Sequence, residues 1–329
     1  MMGSSNFVIM GAGAWGTAIA IHLAKLGHST VLVPRDVNKA KIINEKCENC
    51  FHLKGIALPK NLIIDAQFHL YLKKNTVVFL ACPTQGLESV CTQLQPYSQS
   101  IHSVISLIKG LDKTSLKTPS CLIKALLPNI HVGCLSGPTY ALEFACGKLS
   151  AMVLAIEEDS LNLQTKISNN TVRIYRSNDL LGVELGGCLK NIYAIGAGIL
   201  DGLDLGDNAR AAYLTRALKE MACVGTQLGG QKDTFYGLSG LGDLIATAQG
   251  NWSRNHTFGQ EFAQGRSIED LLSEKTVEGY WSMQCFYRLI ENKCIEAPIL
   301  QCLYHVFYEN YPVHQAIQGL MTRSLKKEF

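Results

Sequence analysis

The chemistry in this sequence centres on one lysine. In ELGGCLKNIYAIGAGILDG, residues 184–202, Lys190 and Asn191 stand in a run of small and apolar residues. Gly186 or Gly187, Lys190, Ala194 and Ala197 recur at three- or four-residue steps, which places them on one face of a helix. Apart from the lysine that face has little bulk, so another backbone or a flat ring can approach it. A lysine there is partly desolvated. Desolvation moves its pKa towards neutrality, and a nearby carboxylate opposes that shift. Such an amine can pass a proton near pH 7. Each glycine inside a helix costs about 1 kcal/mol against alanine. Two readings explain why the chain accepts that: a bare face for substrate and cofactor, or a tight helix crossing from which Lys190 extends to water.

Three other segments carry chemistry. SLIKG sets Lys109 directly after a β-run, at the carboxyl end of a strand, where open α/β sheets bind ligands. SGLGDLIAT sets Asp243 and Thr247 one helical turn apart behind a glycine-rich entry. NWSRNHTFGQ supplies Ser253, Arg254 and Asn255, a guanidinium fork beside an amide that suits a phosphate. Each also has a plainer reading: a strand-end lysine, a helix-capping aspartate, a solvated loop.

GAGAWG, Gly11 to Gly16, lies between a β-run and a helical pattern that reaches about Leu26, and a second β-run follows. In that setting the spacing is a phosphate cradle. Gly11 allows the tight turn, Gly13 lets a pyrophosphate reach the backbone, and Gly16 permits close helix–strand packing. The second β-run ends in VPRD. An acid there selects NAD through a ribose hydroxyl, and an arginine accommodates the extra phosphate of NADP. Arg35 precedes Asp36, which leans towards NADP and leaves NAD open.

These groups need elements to hold them. NFVIM, STVLV, TVVFLA, SVISLI, HVGCL and SAMVLAI read as strands, with amphipathic segments such as DVNKAKIINEKC and GLESVCTQLQPY between several of them. The alternation predicts a mainly parallel sheet covered on both faces, and the lack of polar alternates fits strands buried on both sides. From about Asn178 the pattern is helical: LLGVELGGCLKNIYAIGAGIL, ARAAYLTRALKEMACVGTQLG, SIEDLLSE, SMQCFYRLIENKC and APILQCLYHVFY. The expected organisation is therefore a dinucleotide-binding domain over residues 1–178 and an all-α substrate-binding and catalytic domain over 179–329.

Composition narrows the function. The chain has 329 residues, 47% hydrophobic and 17% charged, as in a well-packed globule. The net charge of +3 is small and scattered with no basic run, which argues against nucleic-acid binding. The SLKKEF tail reads as a solvated end. No apolar run reaches the roughly 18–20 residues that span a bilayer, and MMGSSNFVIMGAG lacks the charged start and long apolar core of a secretory signal. A cytoplasmic location is expected. The twelve cysteines are mostly single and set in apolar runs, as buried small hydrophobes are. CENCFH, Cys47 to His52, has no second ligand pair at zinc spacing, so no metal is expected. The apolar segment LQCLYHVFY fits either the core or a homodimer face.

Taken in order, GAGAWGTAIA, SLIKG, LSGPTYALE, GVELGGCLKNIYAIGAGILDGLDLGDNARAAYLTRALKEM, FYGLSGLGDLIATAQGNWSRNHTFGQ and TVEGY resemble NAD(P)-dependent glycerol-3-phosphate dehydrogenase of the bacterial type. The match runs from Asn6 to about Tyr280, and the Lys190 and GLGDL…SRN segments are its most specific parts. The resemblance implies a doubly wound Rossmann-type domain followed by a helical one, with NADP or NAD as cofactor. It implies reversible reduction of dihydroxyacetone phosphate to sn-glycerol 3-phosphate, a precursor for glycerophospholipid synthesis. Lys190 would be the general acid/base, with Asp243 orienting it, and Lys109 would touch substrate and cofactor. Asn191, Thr247, Ser253, Arg254 and Asn255 would line the substrate pocket beside Asp243, with Arg254 and Asn255 at the phosphate. Gly137, Thr139 and Ala141 would border cofactor and substrate. The cofactor would lie on Gly11, Gly13, Ala14, Trp15, Gly16 and Arg35, with Arg254 nearby and Glu278 at its adenosine half. Departures are Pro34 before Arg35, Ala14 where serine is common, and IATAQGNW before Ser253; none removes a catalytic group. A related lysine-dependent reductase of an unphosphorylated 2-hydroxy acid is disfavoured by the Ser253–Asn255 triplet. A dinucleotide sensor without catalysis has no use for Lys109, Lys190 and Asp243.

Overall fold

A computed structural model describes residues 5–156, 160–249, 252–325, 327 and 328. Met1–Ser4 of the opening stretch, Gly250 and Asn251 before Ser253, and Lys326 and Phe329 of the tail therefore lie outside the described residues. The chain forms two compact units. One comprises Met1–Asp112 and Lys117–Glu184, the other Lys113–Leu116 and Leu185–Phe329.

The first unit is built on one eight-stranded sheet: β1 (Asn6–Met10), β2 (Ser29–Val33), β3 (Leu62–Ile64), β4 (Thr76–Leu80), β5 (Ile101–Ser106), β6 (His131–Ser136), β7 (Ser150–Ile156) and β8 (Val172–Ser177). The order is β3-β2-β1-β4-β5-β6-β7-β8, parallel except where β6 meets β7. Among the described residues six α-helices accompany it: α1 (Ala14–Lys25), α2 (Val37–Lys46), α3 (Leu87–Leu94), α4 (Pro119–Leu126), α5 (Ala141–Ala145) and α6 (Ser160–Ile167). Successive strand residues point to opposite faces, and β1 shows the result. Phe7 and Ile9 join an apolar cluster with Ile19 and Leu23 of α1, while Val8 and Met10 join another with Leu87, Cys91 and Leu94 of α3. The expected doubly wound sheet is present. The order reverses between β1 and β4, so the turns after these two strands open at the switch point where such sheets take ligands.

The sequence reading omitted β3 and β8, which are the two edges of the sheet. β8, VRIYRS, buries alternate residues only, and β3 has three residues with Ile63 exposed. One covered face gives a weaker apolar signal than two. β5 also ends at Ser106, earlier than expected, so Lys109 sits in the loop beyond it.

The second unit is helical, with no strand among its described residues. The chain enters it within α7 (Leu180–Gly202) and continues through α8 (Gly206–Gln227), α9 (Asp243–Ala248), α10 (Arg254–Ala263), α11 (Ile268–Glu274), α12 (Glu278–Lys293), α13 (Pro298–Tyr308) and α14 (Val313–Met321). A π-turn, Leu238–Gly242, leads into α9. The sequence reading named neither α10 nor α14 as a helix, although Ser253 is the N-cap type and does accept from the His256 N–H at 3.2 Å. In the tail, Leu325 is fully exposed, and the Glu328 carboxylate accepts from Arg216 at 2.6 Å. No helix among the described residues is long and apolar enough to cross a membrane.

The helix α7 is buried from Val183 to Ile199, as an element apolar all round must be. Gly198 and Gly202 face backbone, whereas Gly196 faces the Tyr213 ring. A Cβ on Gly198 would lie 2.0 Å from the His256 carbonyl oxygen of α10, and one on Gly259 of α10 would lie 2.0 Å from that of Ile195. The two helices therefore cross with main chain against main chain, and only glycine fits. Elsewhere in the unit, Glu220 of α8 is buried and accepts from the N–H groups of Ile299 and Leu300 at 2.8 Å each and from the Tyr193 hydroxyl at 3.2 Å. It caps α13 from a distance in sequence. Burial pushes its carboxyl up to about 7, although these three donors hold it down.

Candidate active site

In the first unit the turn Gly11–Gly16 joins β1 to α1. Gly11 has φ +117°, and a Cβ there would lie 2.7 Å from the Ala81 carbonyl oxygen at the end of β4. At Gly16 a Cβ would strike the Gly11 carbonyl oxygen at 2.1 Å. Gly13 differs, because a Cβ would meet nothing within 4 Å. A side chain at Gly13 would fill the open space in front of the turn. No side chain caps the start of α1, so its first N–H groups are presented to that space, where an anion is favoured. These features fit a dinucleotide pyrophosphate. Ala14 and Trp15 begin the helix, and the Trp15 ring packs edge-on to Phe144 at 5.0 Å.

The same unit gathers Lys109, Gly137 and Thr139. The Lys109 ammonium donates to the Gly137 carbonyl at 3.4 Å, and the Thr139 hydroxyl donates to it at 3.2 Å. Gly137 has φ +147° with a Cβ position 3.0 Å from Ala151 and Met152 backbone atoms, so this turn also requires glycine. Ala141 opens α5 and packs against the adjoining core. The neighbouring residues Arg35 and Asp36 behave differently. Asp36 is the N-cap of α2, its carboxylate accepting from Asn38 N at 2.7 Å and Lys39 N at 3.4 Å. Arg35 is exposed beside it.

In the second unit Lys190 is 6% exposed and Asp243 2%. The Lys190 ammonium donates to Asp243 Oδ1 at 2.9 Å and to Thr247 Oγ1 at 2.6 Å. The Thr247 hydroxyl in turn donates to the Asp243 carbonyl at 2.6 Å. The one-turn spacing on α9 thus makes a carboxylate and a hydroxyl that together hold one ammonium. Lys190 is buried and paired, so it does not extend to water, and the plain capping role for Asp243 falls short of what it contacts. Next to this pair, Asn255 donates to Asn191 Oδ1 at 2.9 Å and accepts from Gly279 N at 2.9 Å. Ser253 caps α10, Arg254 is exposed at its first position, and Glu278 is half-buried at the first position of α12. Among the described residues no group of three His, Cys, Asp or Glu side chains could hold a metal ion.

The glycine question divides in two. Gly198 and Gly202 admit α10, and a Cβ on Gly186 would approach the Ser239 carbonyl oxygen at 3.1 Å. Helix crossing therefore explains these glycines, and the ion pair explains the lysine.

Sequence reasoning missed three buried polar side chains and their contacts. Asn49 donates to the Ala12 carbonyl of the Gly11–Gly16 turn and to Thr17. His256 Nε2 lies 2.7 Å from Asp201 Oδ2, tying the start of α10 to the end of α7, with Arg210 also on Asp201 at 3.3 Å. Glu184, in the first turns of α7, accepts from the N–H and hydroxyl of Ser120 at the head of α4. Burial raises its carboxyl, and those bonds work in the opposite direction. No local spacing announces any of the three.

Two family models together match nearly the whole chain. That described as NAD-dependent glycerol-3-phosphate dehydrogenase N-terminus matches residues 6–162, and that described as the C-terminus of the same enzyme matches residues 179–318. The chain is 38% identical to glycerol-3-phosphate dehydrogenase [NAD(P)+] of Carboxydothermus hydrogenoformans, over 99% of each chain. It is 36% identical to the protein of that name from Syntrophotalea carbinolica, over 98% of this chain and 99% of the relative. Among solved structures it is similar to the glycerol-3-phosphate dehydrogenase of Coxiella burnetii, with a TM-score of 0.90 at 30% identity, covering 97% of this chain and 99% of that one. With the parallel sheet, the open glycine turn and the buried lysine pair in place, this chain belongs to the NAD-dependent glycerol-3-phosphate dehydrogenase family.

Proposed function

We propose that the protein interconverts dihydroxyacetone phosphate and sn-glycerol 3-phosphate with NADPH or NADH, supplying a precursor of glycerophospholipids in the cytoplasm. Residues 1–178 serve the dinucleotide and residues 179–329 serve proton transfer and the substrate phosphate. The observation that carries the chemistry is the buried Lys190 ammonium held by Asp243 at 2.9 Å and Thr247 at 2.6 Å.

When bound, the nicotinamide exchanges hydride with the substrate carbonyl carbon. In the reducing direction the carbonyl oxygen gains negative charge. Lys190 stabilises that charge and then delivers a proton from Nζ. Asp243 keeps the amine protonated before transfer and fixes its direction with Thr247. In the oxidising direction Lys190 takes the hydroxyl proton. Arg254 holds the substrate phosphate by its guanidinium fork, and Asn255 adds an amide donor there. Asn191 and Ser253 complete the pocket, and binding at the remote phosphate orients the reacting carbon. Lys109, set by Gly137 and beside Thr139, serves the substrate and the nicotinamide end. Gly11, Gly13, Ala14, Trp15 and Gly16 hold the pyrophosphate, Ala141 borders the cofactor, and Arg35 and Glu278 hold the adenosine half. With Asp36 engaged as a helix cap, exposed Arg35 favours the 2′-phosphate of NADP.

The test is to follow nicotinamide absorbance while purified protein meets dihydroxyacetone phosphate, once with NADPH and once with NADH. Oxidation is expected with both and faster with NADPH. Protein that binds a dinucleotide but oxidises it with a 2-keto acid rather than the phosphate ester would replace this reading by the reductase.

A further inference from the structure

We propose that Asn49 is a positioning residue for the dinucleotide, acting by locking the peptide planes of the Gly11–Gly16 turn; the proposal rests on the functional reading above. Asn49 belongs to the loop after α2 and its side chain is completely buried. Its Nδ2 donates to the Ala12 carbonyl at 2.9 Å and to Thr17 Oγ1 at 2.7 Å. The Thr17 hydroxyl donates to the Gly13 carbonyl at 2.8 Å, beside the Thr17 N–H, which donates to the same oxygen at 3.0 Å. One amide therefore fastens the Ala12 carbonyl directly and orients the Thr17 hydroxyl that supports the next one.

The consequence follows from peptide geometry. In a trans peptide the C=O and the next N–H point in opposite directions. Drawing the Ala12 carbonyl to Asn49 turns the Gly13 N–H the other way, and drawing the Gly13 carbonyl to Thr17 does the same for Ala14 N–H. Without such a hold, a glycine-rich turn flips its peptide planes easily, because glycine restricts neither sign of φ. A flipped plane would present a carbonyl oxygen, the negative end of the peptide dipole, to a pyrophosphate. Asn49 thereby preorganises the donors that meet the anion while standing behind them.

Two observations make the assignment to Asn49 specific. The loop that delivers it is braced on itself. The Asn49 carbonyl accepts from Leu53 N at 2.9 Å, Leu58 N donates to the Cys47 carbonyl at 2.9 Å, and Gly55 N donates to Glu48 Oε1 at 2.9 Å. Leu53 then packs into the apolar cluster that holds Ile19 and Ile43. Second, the orientation of the amide is forced. Exchanging its oxygen and nitrogen would set Oδ1 against the Ala12 carbonyl oxygen. As placed, Oδ1 is buried without a hydrogen-bond partner among the described residues. A polar atom kept at that disadvantage is explained by what the two donors accomplish.

The test uses the 329-residue chain and three variants: Asn49→Leu, which keeps the branching of the side chain and removes both donors, Thr17→Val, and the pair. Dissociation constants for NADPH and NADH come from the fluorescence of the reduced nicotinamide, with thermal unfolding and steady-state kinetics alongside. Asn49→Leu is expected to raise Kd and KM for the dinucleotide about tenfold or more, with kcat at saturating cofactor and KM for dihydroxyacetone phosphate nearly unchanged. Thr17→Val has a smaller effect of the same kind, because the Thr17 N–H still holds the Gly13 carbonyl, and the pair falls short of the sum of the two because they share one hydrogen-bond network. If Asn49→Leu does not fold, Asn49→Ala decides, since it removes the same two donors without adding bulk. Unchanged dinucleotide affinity in the folded variants overturns the proposal. So does a parallel fall in affinity, kcat and melting temperature, which marks a general loss of structure. Wild-type protein that binds neither dinucleotide overturns the functional reading itself.

Discussion

The turn at Gly11–Gly16 and the cluster at Lys190 treat polar groups in opposite ways. The first keeps side chains out of its mouth and offers backbone N–H groups, with its carbonyls held behind by Asn49 and Thr17. The second buries a full charge and answers it with a carboxylate and a hydroxyl. The difference teaches where each kind of recognition is encoded. A backbone site needs only the absence of bulk at set spacings, which a short motif can specify. A buried charge needs a particular partner, which only the folded chain supplies.

The sharpest way to break this contrast is Lys190→Ala. Turnover is expected to fall by about 10²–10⁴-fold while dinucleotide affinity, measured by nicotinamide fluorescence, stays the same. Comparable turnover would show that the ammonium is not the proton donor. Asp243→Asn comes next. It leaves the Lys190 ammonium buried without its counter-charge, so unfolding in denaturant is expected to show a loss of about 3–5 kcal/mol. Combining Lys190→Met with Asp243→Leu recovers much of that stability in an inactive protein, which separates the stability of the pair from its chemistry. Smaller is the effect of Gly198→Val at the crossing with α10. Overpacking there is expected to cost about 1–3 kcal/mol and to raise KM for the phosphate substrate by displacing the helix that begins with Arg254.

Weaker again is Arg35→Ser, which is expected to raise KM for NADPH about tenfold and leave NADH alone. An equal change for both cofactors would detach Arg35 from the 2′-phosphate. The mildest effect concerns pH. Burial lifts the Glu220 carboxyl to about 7, above its ordinary value of 4.5. Between these values the folded protein keeps a proton that the unfolded chain has released. Stability from this group is therefore complete below about 4.5 and is lost as pH rises through about 7. Melting temperatures should fall by a few degrees between pH 5 and pH 8, and Glu220→Gln should flatten that slope.

The central strands were legible because burial on both faces leaves uninterrupted apolar runs such as VVFL in β4. The edge strands were not: in β8 exposure of one face mixes polar residues such as Arg173 and Arg176 into the pattern, and β3 is only the three residues LII, too short to show a period. The site was legible by type more than by contact. Asp243 and Thr247 were recognisable from a one-turn spacing, but the same spacing suited a plain helix cap. Glycine spacing on α7 showed that something approaches closely. It did not say whether that was a ligand or a helix, and at Gly198 it is the backbone of α10. Asn49 stood inside a segment weighed only for zinc, and His256 inside one weighed only for phosphate.

By itself, then, the sequence determined the alternation of strand and helix, the helical second half, the glycine turn and the residue types available for proton transfer. Each depends on periodicity or on backbone freedom, properties of neighbours in the chain. The tertiary structure decided which carboxylate meets Lys190 and from where, Asp243 lying 53 positions along the chain. It also decided that Asp36 caps a helix, that Gly198 and Gly202 admit a second backbone, and that Asn49 holds the Ala12 carbonyl of the glycine turn. Those are choices of partner between distant residues. They depend on which surfaces pack together, and local spacing carries no record of that.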